Sequence, residues 1–512
     1  MRFKKLLRII FGRTTILAIL FLLQIGVLLG VFKWLGGYVN YIYGGFTILS
    51  ALVIVYILNS PSNPNFKIAW IIPVLVIPVV GVFFYLYVQL GFGTKGLVNN
   101  IKSVNEKTKD MLPRDEALVE EIRDSDPQVA RLADYLYNTS NLPIYKNSSA
   151  EYFPLGDDAF EEMLIQLEQA EHFIFMEYFI IEKGRMLNTI QDILAKKVTQ
   201  GVEVRFMYDG MVALNQMPNS YLTELKNLGI RAKQFSPIKP ILSTSYNNRD
   251  HRKIMVIDGK VAFTGGINLA DEYINEKLRF GHWKDNAIMV KGDAARSFTM
   301  MFLQMWHAEE GTEEDYERYL RIPHGNDELD GYIMPYGDNP FDADRIGESI
   351  YLDLINTAEE YVHIMTPYLI IDDQMVSAMA FAAKSGVDVK IIMPHIPDKW
   401  SAYTLARTYY EELIRSGVKI YEYTPGFIHS KVFVSDNKKA TVGTVNLDYR
   451  SLYLHFECGV YIYGGHVIDE IDKDFDETLE KSHLITLEAA RDISFIQKFV
   501  GRFCLRLFAP LL

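Results

Sequence analysis

Two short stretches carry residues suited to work on a phosphate ester. His251-Arg252-Lys253 leads after four residues to Asp258, after six more to Gly265 and after two more to Asn268. His429-Ser430-Lys431 leads at the same offsets to Asp436, Gly443 and Asn446. Histidine can attack phosphorus or move a proton near neutral pH. Lysine donates to an anionic oxygen, and an asparagine amide adds a neutral donor. One copy supplies one imidazole, whereas phosphodiester exchange needs two such groups, a nucleophile and an acid for the leaving alcohol. One match to so short a pattern is weak evidence; two, each followed by G-x-x-N at the same offset, are strong.

The flanking residues say how such groups are held. Lys253 to Ile257 alternates as a strand, Asp258-Gly259 is a hairpin turn signal, and Lys260 to Thr264 returns. Lys431 to Val434, the turn-like Ser435-Asp436-Asn437 and Lys439 to Val442 repeat that plan. Side chains two apart on a strand share a face, so each His and Lys point into one space. The glycines let the chain bend and bring Asn268 or Asn446 back toward it. An aspartate at a turn also serves turn chemistry alone, and both readings stand for Asp258 and Asp436.

The hairpins end a longer repeat. Glu161–Gln169 reads as helix and His172–Ile181 as strand, matched by Glu348–Ala358 and Tyr361–Ile371. AKKVTQGVEVRFMYDG from Ala195 parallels AAKSGVDVKIIMPH from Ala382, each a helix stopped by glycine (Gly201, Gly386) before an apolar strand. LTELKNLGIRAKQF from Leu222 parallels YEELIRSGVKIYEY from Tyr410. Alternating helices and strands imply an α/β sheet covered by helices, and two copies imply a duplicated domain rather than a solenoid. Two halves facing each other across a pseudo-twofold axis would give one site two His, two Lys and two Asn.

These paired motifs resemble those of the phospholipase D superfamily. The resemblance implies two phospholipase D-like α/β/α sandwich halves with pseudo-twofold symmetry. It implies a covalent phosphohistidine, with no metal or other cofactor. Carried over, His251 is the nucleophile, and His429 is the general acid and later the base, with the reverse order as the alternative. Acidic residues that orient the histidines match best at Asp285 and Glu457. Further segments are similar to the cardiolipin synthases: Asn63–Gly93 with Ala69-Trp70, Pro78-Val79-Val80-Gly81 and Tyr85-Leu86; Thr366-Pro367-Tyr368; and the ending Leu505–Leu512. That implies transfer of a phosphatidyl group from one phosphatidylglycerol to another, trading one phosphodiester for another without a nucleotide. A hydrolase using water as acceptor and a non-catalytic membrane scaffold are the rival readings; the intact motifs argue against the scaffold.

The front of the chain fits lipid substrates. Thr14–Phe32, Ile42–Leu58 and Ala69–Leu90 are apolar runs near membrane-spanning length, the last interrupted by Pro73 and Pro78. Arg2, Lys4, Lys5, Arg8 and Arg13 precede them, with no small-residue cleavage site after the first run, which reads as an uncleaved anchor with a cytoplasmic N-terminus. Three crossings would put the rest of the chain outside and two would return it inside. Lys95, Lys102, Lys107 and Lys109 favour a cytoplasmic exit, making one run re-entrant or interfacial. The expected organisation is 1–95 membrane-anchoring helices, 96–140 polar helical linker, 141–325 first half, 326–490 second half and 491–512 amphipathic tail. Ile496, Phe499, Phe503 and Leu507, with Arg491, Lys498, Arg502 and Arg506, suit that tail to an anionic membrane surface, with packing on the catalytic core as the alternative.

Other features exclude classes. A net charge of −12 over 512 residues argues against a nucleic-acid partner. Two cysteines, Cys458 and Cys504, make neither a disulfide framework nor a zinc site. Asp469–Glu480 has the acidity of a calcium loop but lacks its glycine, and reads as a solvated helix face. The remaining histidines show no ligand spacing; for His282, His307 and His363 packing is the default. Oligomeric state is left open.

Overall fold

The computed structural model describes residues 26, 30, 39–89, 95–211, 216–218, 220–237, 247–308, 314–321 and 330–511, some without side chains. The run Thr14–Phe32 and the basic cluster before it lie almost wholly outside the described residues, as do the side chains of Ile496, Phe503 and Cys504.

Each half is built on one mixed sheet. The first half contains β1 (Ser148–Phe153), β2 (Phe173–Tyr178), β3 (Glu203–Asp209), β4 (Arg231–Phe235), β5 (Lys253–Ile257), β6 (Val261–Gly265), β7 (His282–Lys284) and β8 (Ala287–Gly292). All but β7 form a seven-stranded sheet in the order β1-β8-β6-β5-β2-β3-β4. The second half contains β9 (Tyr332–Asp338), β10 (Tyr361–Met365), β11 (Leu369–Ile370), β12 (Asp388–Pro394), β13 (Lys419–Tyr423), β14 (Gly426–Ile428), β15 (Val432–Ser435), β16 (Lys439–Gly443), β17 (Leu447–Asp448), β18 (Glu457–Tyr463) and β19 (Ser482–Leu484). Its eight-stranded sheet runs β19-β13-β12-β10-β15-β16-β18-β9. β2, β3 and β4 are parallel, as are β10, β12 and β13, while the motif hairpins β5–β6 and β15–β16 pair antiparallel beside them.

Strand alternation divides the core into layers. Ile174, Met176 and Tyr178 face a cluster with the first half's outer helices, while Phe173 and Phe175 face the centre. Val389, Ile391 and Met393 face the second half's outer helices, and Ile392 faces the centre. The central cluster joins both sheets through residues such as Val256, Val290, Val434 and Val460, with the helix Ala295–Ala308 between them. Helices thus cover both faces of each sheet.

Three flanking regions revise or refine the sequence reading. Residues 96–140 are not a linker: Ile101, Val104 and Leu112 join the central core, and Leu118 to Leu136 contribute to the second half's core. The third apolar run is not one helix. After α1 (Val39–Asn59) come α2 (Pro64–Val76) and α3 (Pro78–Gln89), broken at Ile77 because proline cannot continue the hydrogen-bond ladder. A Cβ on Gly81 would collide with the Pro73 carbonyl, so glycine allows α2 and α3 to close on each other. Among the described residues, no helix is long and apolar enough to cross a membrane; the side chains of α1 are described continuously only from Thr47 onward. The tail folds as short helical turns against the helix Trp400–Arg415 and against α2. Arg506 lies over the Tyr409 ring and Arg491 pairs with Glu411, so part of the basic pattern is met by the second half, while Phe499 stays exposed.

The start of α2 is joined to the second half through polar contacts. Asn63 caps α2 and donates to Asp372 and Tyr453, and Asn65 donates to the Tyr449 hydroxyl. Phe66 meets the edges of Tyr449 and Tyr453. Away from this joint α1, α2 and α3 expose Ile48, Leu52, Val55, Leu75, Val76, Phe83 and Phe84.

Candidate active site

The motif histidines lie just before the inner hairpin strand of each sheet, His251 two residues before β5 and His429 three before β15, and strand pleating sorts the residues around them. In the first motif His251 and Lys253 turn to one side, and Lys253 Nζ donates back to the His251 carbonyl at 2.5 Å. Arg252 turns to the other and pairs with Glu177 at 2.6 Å. Lys431 likewise donates to the His429 carbonyl. Both histidines and both lysines are buried.

The halves exchange carboxylates. His251 Nδ1 lies 2.9 Å from Glu457 of the second half, and His429 Nδ1 lies 2.6 Å from Asp285 of the first. The backbone follows the same crossing. His251 N–H donates to the Phe456 carbonyl and His429 N–H to the Lys284 carbonyl, and β14 pairs in parallel with β7 across the junction. Gly266 belongs to this joint: a Cβ there would fall on Asp285 Oδ1 and 2.9 Å from the His429 carbonyl oxygen. A carboxylate on Nδ1 fixes the tautomer and stabilises an imidazolium, leaving Nε2 for chemistry.

Glu457 is held by the Thr444 hydroxyl and Asp285 by the Asn286 N–H. Burial opposes ionisation of both carboxylates. The neighbouring histidine overcomes it in each case, helped at Asp285 by Lys431, and both are held below the usual range. Burial lowers His251 to about 3 against the pull of Glu457, with Lys253 adding to the drop. Burial, then Lys431, lowers His429 to about 4 against Asp285. Burial also brings Lys253 to about 8 and Lys431 to about 7. Lys253 acts electrostatically on both His429 and Lys431, so the motifs share one electrostatic site. At neutral pH the arrangement holds two neutral imidazoles backed by two carboxylates, beside a largely charged Lys253 and a Lys431 whose charge an entering anion would complete.

The remaining expected residues divide. Asn268 is committed at both ends of its amide: Oδ1 accepts from Ile180 N–H and Nδ2 donates to the Tyr273 hydroxyl, each at 2.9 Å. The Tyr273 ring packs 5.6 Å from His429, so Asn268 supports a wall beside the other half's histidine. Asn446 Oδ1 is buried and has no hydrogen-bond partner among the described residues. Asp258 and Asp436 are not in the site. Each sits at the hairpin tip with positive φ, and its carboxylate accepts three backbone N–H groups: Glu171, His172 and Phe173 for Asp258, Glu359, Glu360 and Tyr361 for Asp436. They tie each hairpin tip to the start of the next strand, which is turn chemistry.

Sequence reasoning missed the walls. Phe179 lies edge-on to His251 at 4.8 Å, and Trp283 lies 5.5 Å from His429 with Nε1 toward Asp285. His455, 5.4 Å from His251, was passed over with the other histidines. It stands two residues before Glu457 as Trp283 stands two before Asp285, so aligning the halves on their acids would have marked it.

Comparison with known proteins fits this geometry. A family model described as "Cardiolipin synthase, PLD-like domain" matches residues 163–306 and 351–479, and one described as "Phospholipase_D-nuclease N-terminal" matches 48–88. A cardiolipin synthase of Alkalihalophilus pseudofirmus is 33% identical over 94% of this chain and 95% of its own. The chain belongs to the cardiolipin synthase family of the phospholipase D superfamily. Another cardiolipin synthase, from Halalkalibacterium halodurans, is 32% identical over 98% of this chain and 100% of its own. An uncharacterized Streptococcus mutans protein is 48% identical over 90% of this chain and 99% of its own. Phosphatidylserine synthase of Haemophilus influenzae shares the fold, with a TM-score of 0.58 at 13% identity, over 76% of this chain and 100% of its own. Membership of the cardiolipin synthases marks the chain as a membrane-associated phosphatidyltransferase.

Proposed function

We propose that this chain joins two phosphatidylglycerol molecules into cardiolipin, releasing glycerol. The crossed carboxylate–imidazole pairs are the observation that carries this reading: they orient two Nδ1 atoms and leave two Nε2 atoms for one phosphorus. The phosphate anion enters beside Lys253 and Lys431, and its charge raises His429 from about 4 so that it carries a proton. His251 Nε2 attacks phosphorus, the bond to glycerol breaks, and His429 gives its proton to the departing oxygen. The phosphatidyl group rests on His251 as a phosphoramidate. The second phosphatidylglycerol then gives a hydroxyl proton to His429, its oxygen attacks phosphorus, and the P–N bond breaks. Lys253 and Lys431 stabilise the charge on the equatorial oxygens in both steps. Water must be kept out, or hydrolysis follows.

The membrane reading rests on the apolar surface of α1 to α3 and on the basic residues flanking the apolar runs. We place the anchor as multi-pass in the cell membrane, with the catalytic halves on the cytoplasmic side among anionic lipids. The decisive experiment supplies labelled phosphatidylglycerol to the purified enzyme in mixed micelles. Cardiolipin and glycerol in equal amounts are expected; phosphatidic acid as sole product refutes the transfer. Rapid quenching at alkaline pH, which preserves the acid-labile P–N bond, followed by peptide mass analysis should find the phosphoryl group on His251; finding it on His429 reverses the two roles.

A further inference from the structure

The two halves differ at one place that matters to cation chemistry. Beside His429 the residue two before the acid is Trp283, whose indole is a donor only. Beside His251 it is His455, buried, with no hydrogen-bond partner for either ring nitrogen among the described residues. His455 Nδ1 lies 3.7 Å from Glu457 Oε1, too far for a hydrogen bond. Glu457 Oε1 lies 2.9 Å from His251 Nδ1. One ligand atom each from His251, His455 and Glu457 fall within 4.8 Å of one another.

We propose that His251, His455 and Glu457 form a site for a zinc-like divalent cation, and that a cation bound there to His251 Nδ1 switches the enzyme off by forcing the ring proton onto Nε2, the attacking nitrogen. Two imidazoles and a carboxylate are a zinc donor set, with water as fourth ligand. Tetrahedral zinc holds its ligand atoms about 3.3 Å apart. His455 therefore has to close by roughly an ångström and the His251–Glu457 pair has to open slightly, both within reach of side-chain rotation. The neighbouring Lys253 repels any cation. That selects for metals that bond strongly to imidazole and against Mg²⁺ and Ca²⁺, which depend on several oxygen ligands. The inhibition rests on the proposed role of His251; the cation site itself does not.

The test uses the full-length enzyme, chelator-treated and then titrated with Zn²⁺ alone. Binding is read by calorimetry and cardiolipin formation by lipid mass analysis. One Zn²⁺ per chain is expected to bind and suppress activity, with recovery on adding EDTA and no effect of Mg²⁺. In His455→Asn, with rates normalised to its own metal-free value, the half-inhibitory concentration should rise at least about tenfold. Absent binding, or equal inhibition of wild type and His455→Asn, overturns the proposal. Zn²⁺ bound through His455 without loss of activity overturns the inhibition and with it the role given to His251. Should His455→Asn not fold, wild type suffices: Zn²⁺ must protect His251 from diethylpyrocarbonate, and an unprotected His251 defeats the site.

Discussion

Lys431 is the residue where function most clearly opposes stability. It is buried with a donated bond to the His429 carbonyl, and burial brings it from 10.5 to about 7. The unfolded chain keeps this proton up to 10.5, whereas the folded chain releases it near 7. Burying Lys431 therefore costs stability in full below about pH 7, and the cost vanishes as pH rises toward 10.5. At about 1.36 kcal/mol per pH unit, that interval bounds the cost at roughly 5 kcal/mol. Local relaxation reduces it, and about 2 kcal/mol is the working figure. Lys431→Met keeps the length and removes the charge. Its melting temperature should exceed that of wild type by several degrees at pH 7, and the gap should narrow as pH approaches 10. Loss of a charge stabiliser should lower kcat by about 10²–10³. Calorimetry or circular dichroism in one detergent across pH 6–10, with cardiolipin formation in parallel, makes the measurement. A variant less stable than wild type at pH 7, or a gap independent of pH, would refute the assignment of a costly buried charge held for catalysis.

Asp285→Asn should keep the fold and lower kcat by about 10³–10⁴ with little change in KM, because an amide facing Nδ1 presents the wrong tautomer at His429; steady-state rates at fixed lipid fraction check this. Asp258→Asn should lower stability by about 2 kcal/mol through weakening three charge-assisted backbone bonds, while kcat per folded molecule stays within about twofold; a large kcat loss in fully folded protein would return Asp258 to the site. Acid should destabilise the protein from about pH 6.5 down toward 4. The unfolded histidines take up protons in that window while buried His251 and His429, lowered to about 3 and 4, do not, and Glu457, also lowered, adds its loss below 4.5. Melting temperatures should therefore fall through that window, and His429→Gln should flatten the slope.

What the sequence disclosed and what it hid follow a physical line. The hairpins at Lys253 and Lys431, the glycine-stopped helices and the facing of each His with its Lys are local, written in a period of two and in turn residues. Identical spacing gave the duplication. Periodicity names the face a side chain uses but not its partner. Asp285 and Glu457 were recognisable as orienting acids, yet their exchange between halves joins residues 144 and 206 positions apart. The same limit explains residues 96–140, whose amphipathic helices looked like a linker until their partners in both cores were known. It explains the tail too: a basic, apolar stripe suits a lipid surface or a protein groove equally well. Asp258 and Asp436 show the opposite error, where a motif letter drew chemistry onto residues whose positive φ and backbone partners are those of a turn.

The exchange of acids explains why the two halves cannot be separated in function. A half alone would hold a buried histidine with nothing on Nδ1 to fix its tautomer. It would also hold a carboxylate, fully buried here, with its imidazole partner gone. An unpaired buried charge costs several kcal/mol, so separation penalises folding as well as chemistry. The central core, shared by both sheets, adds apolar surface to the same junction. The contact that makes two copies one folded body is thus the contact that makes two imidazoles one site, and a change that loosens the junction should be felt first at the histidines.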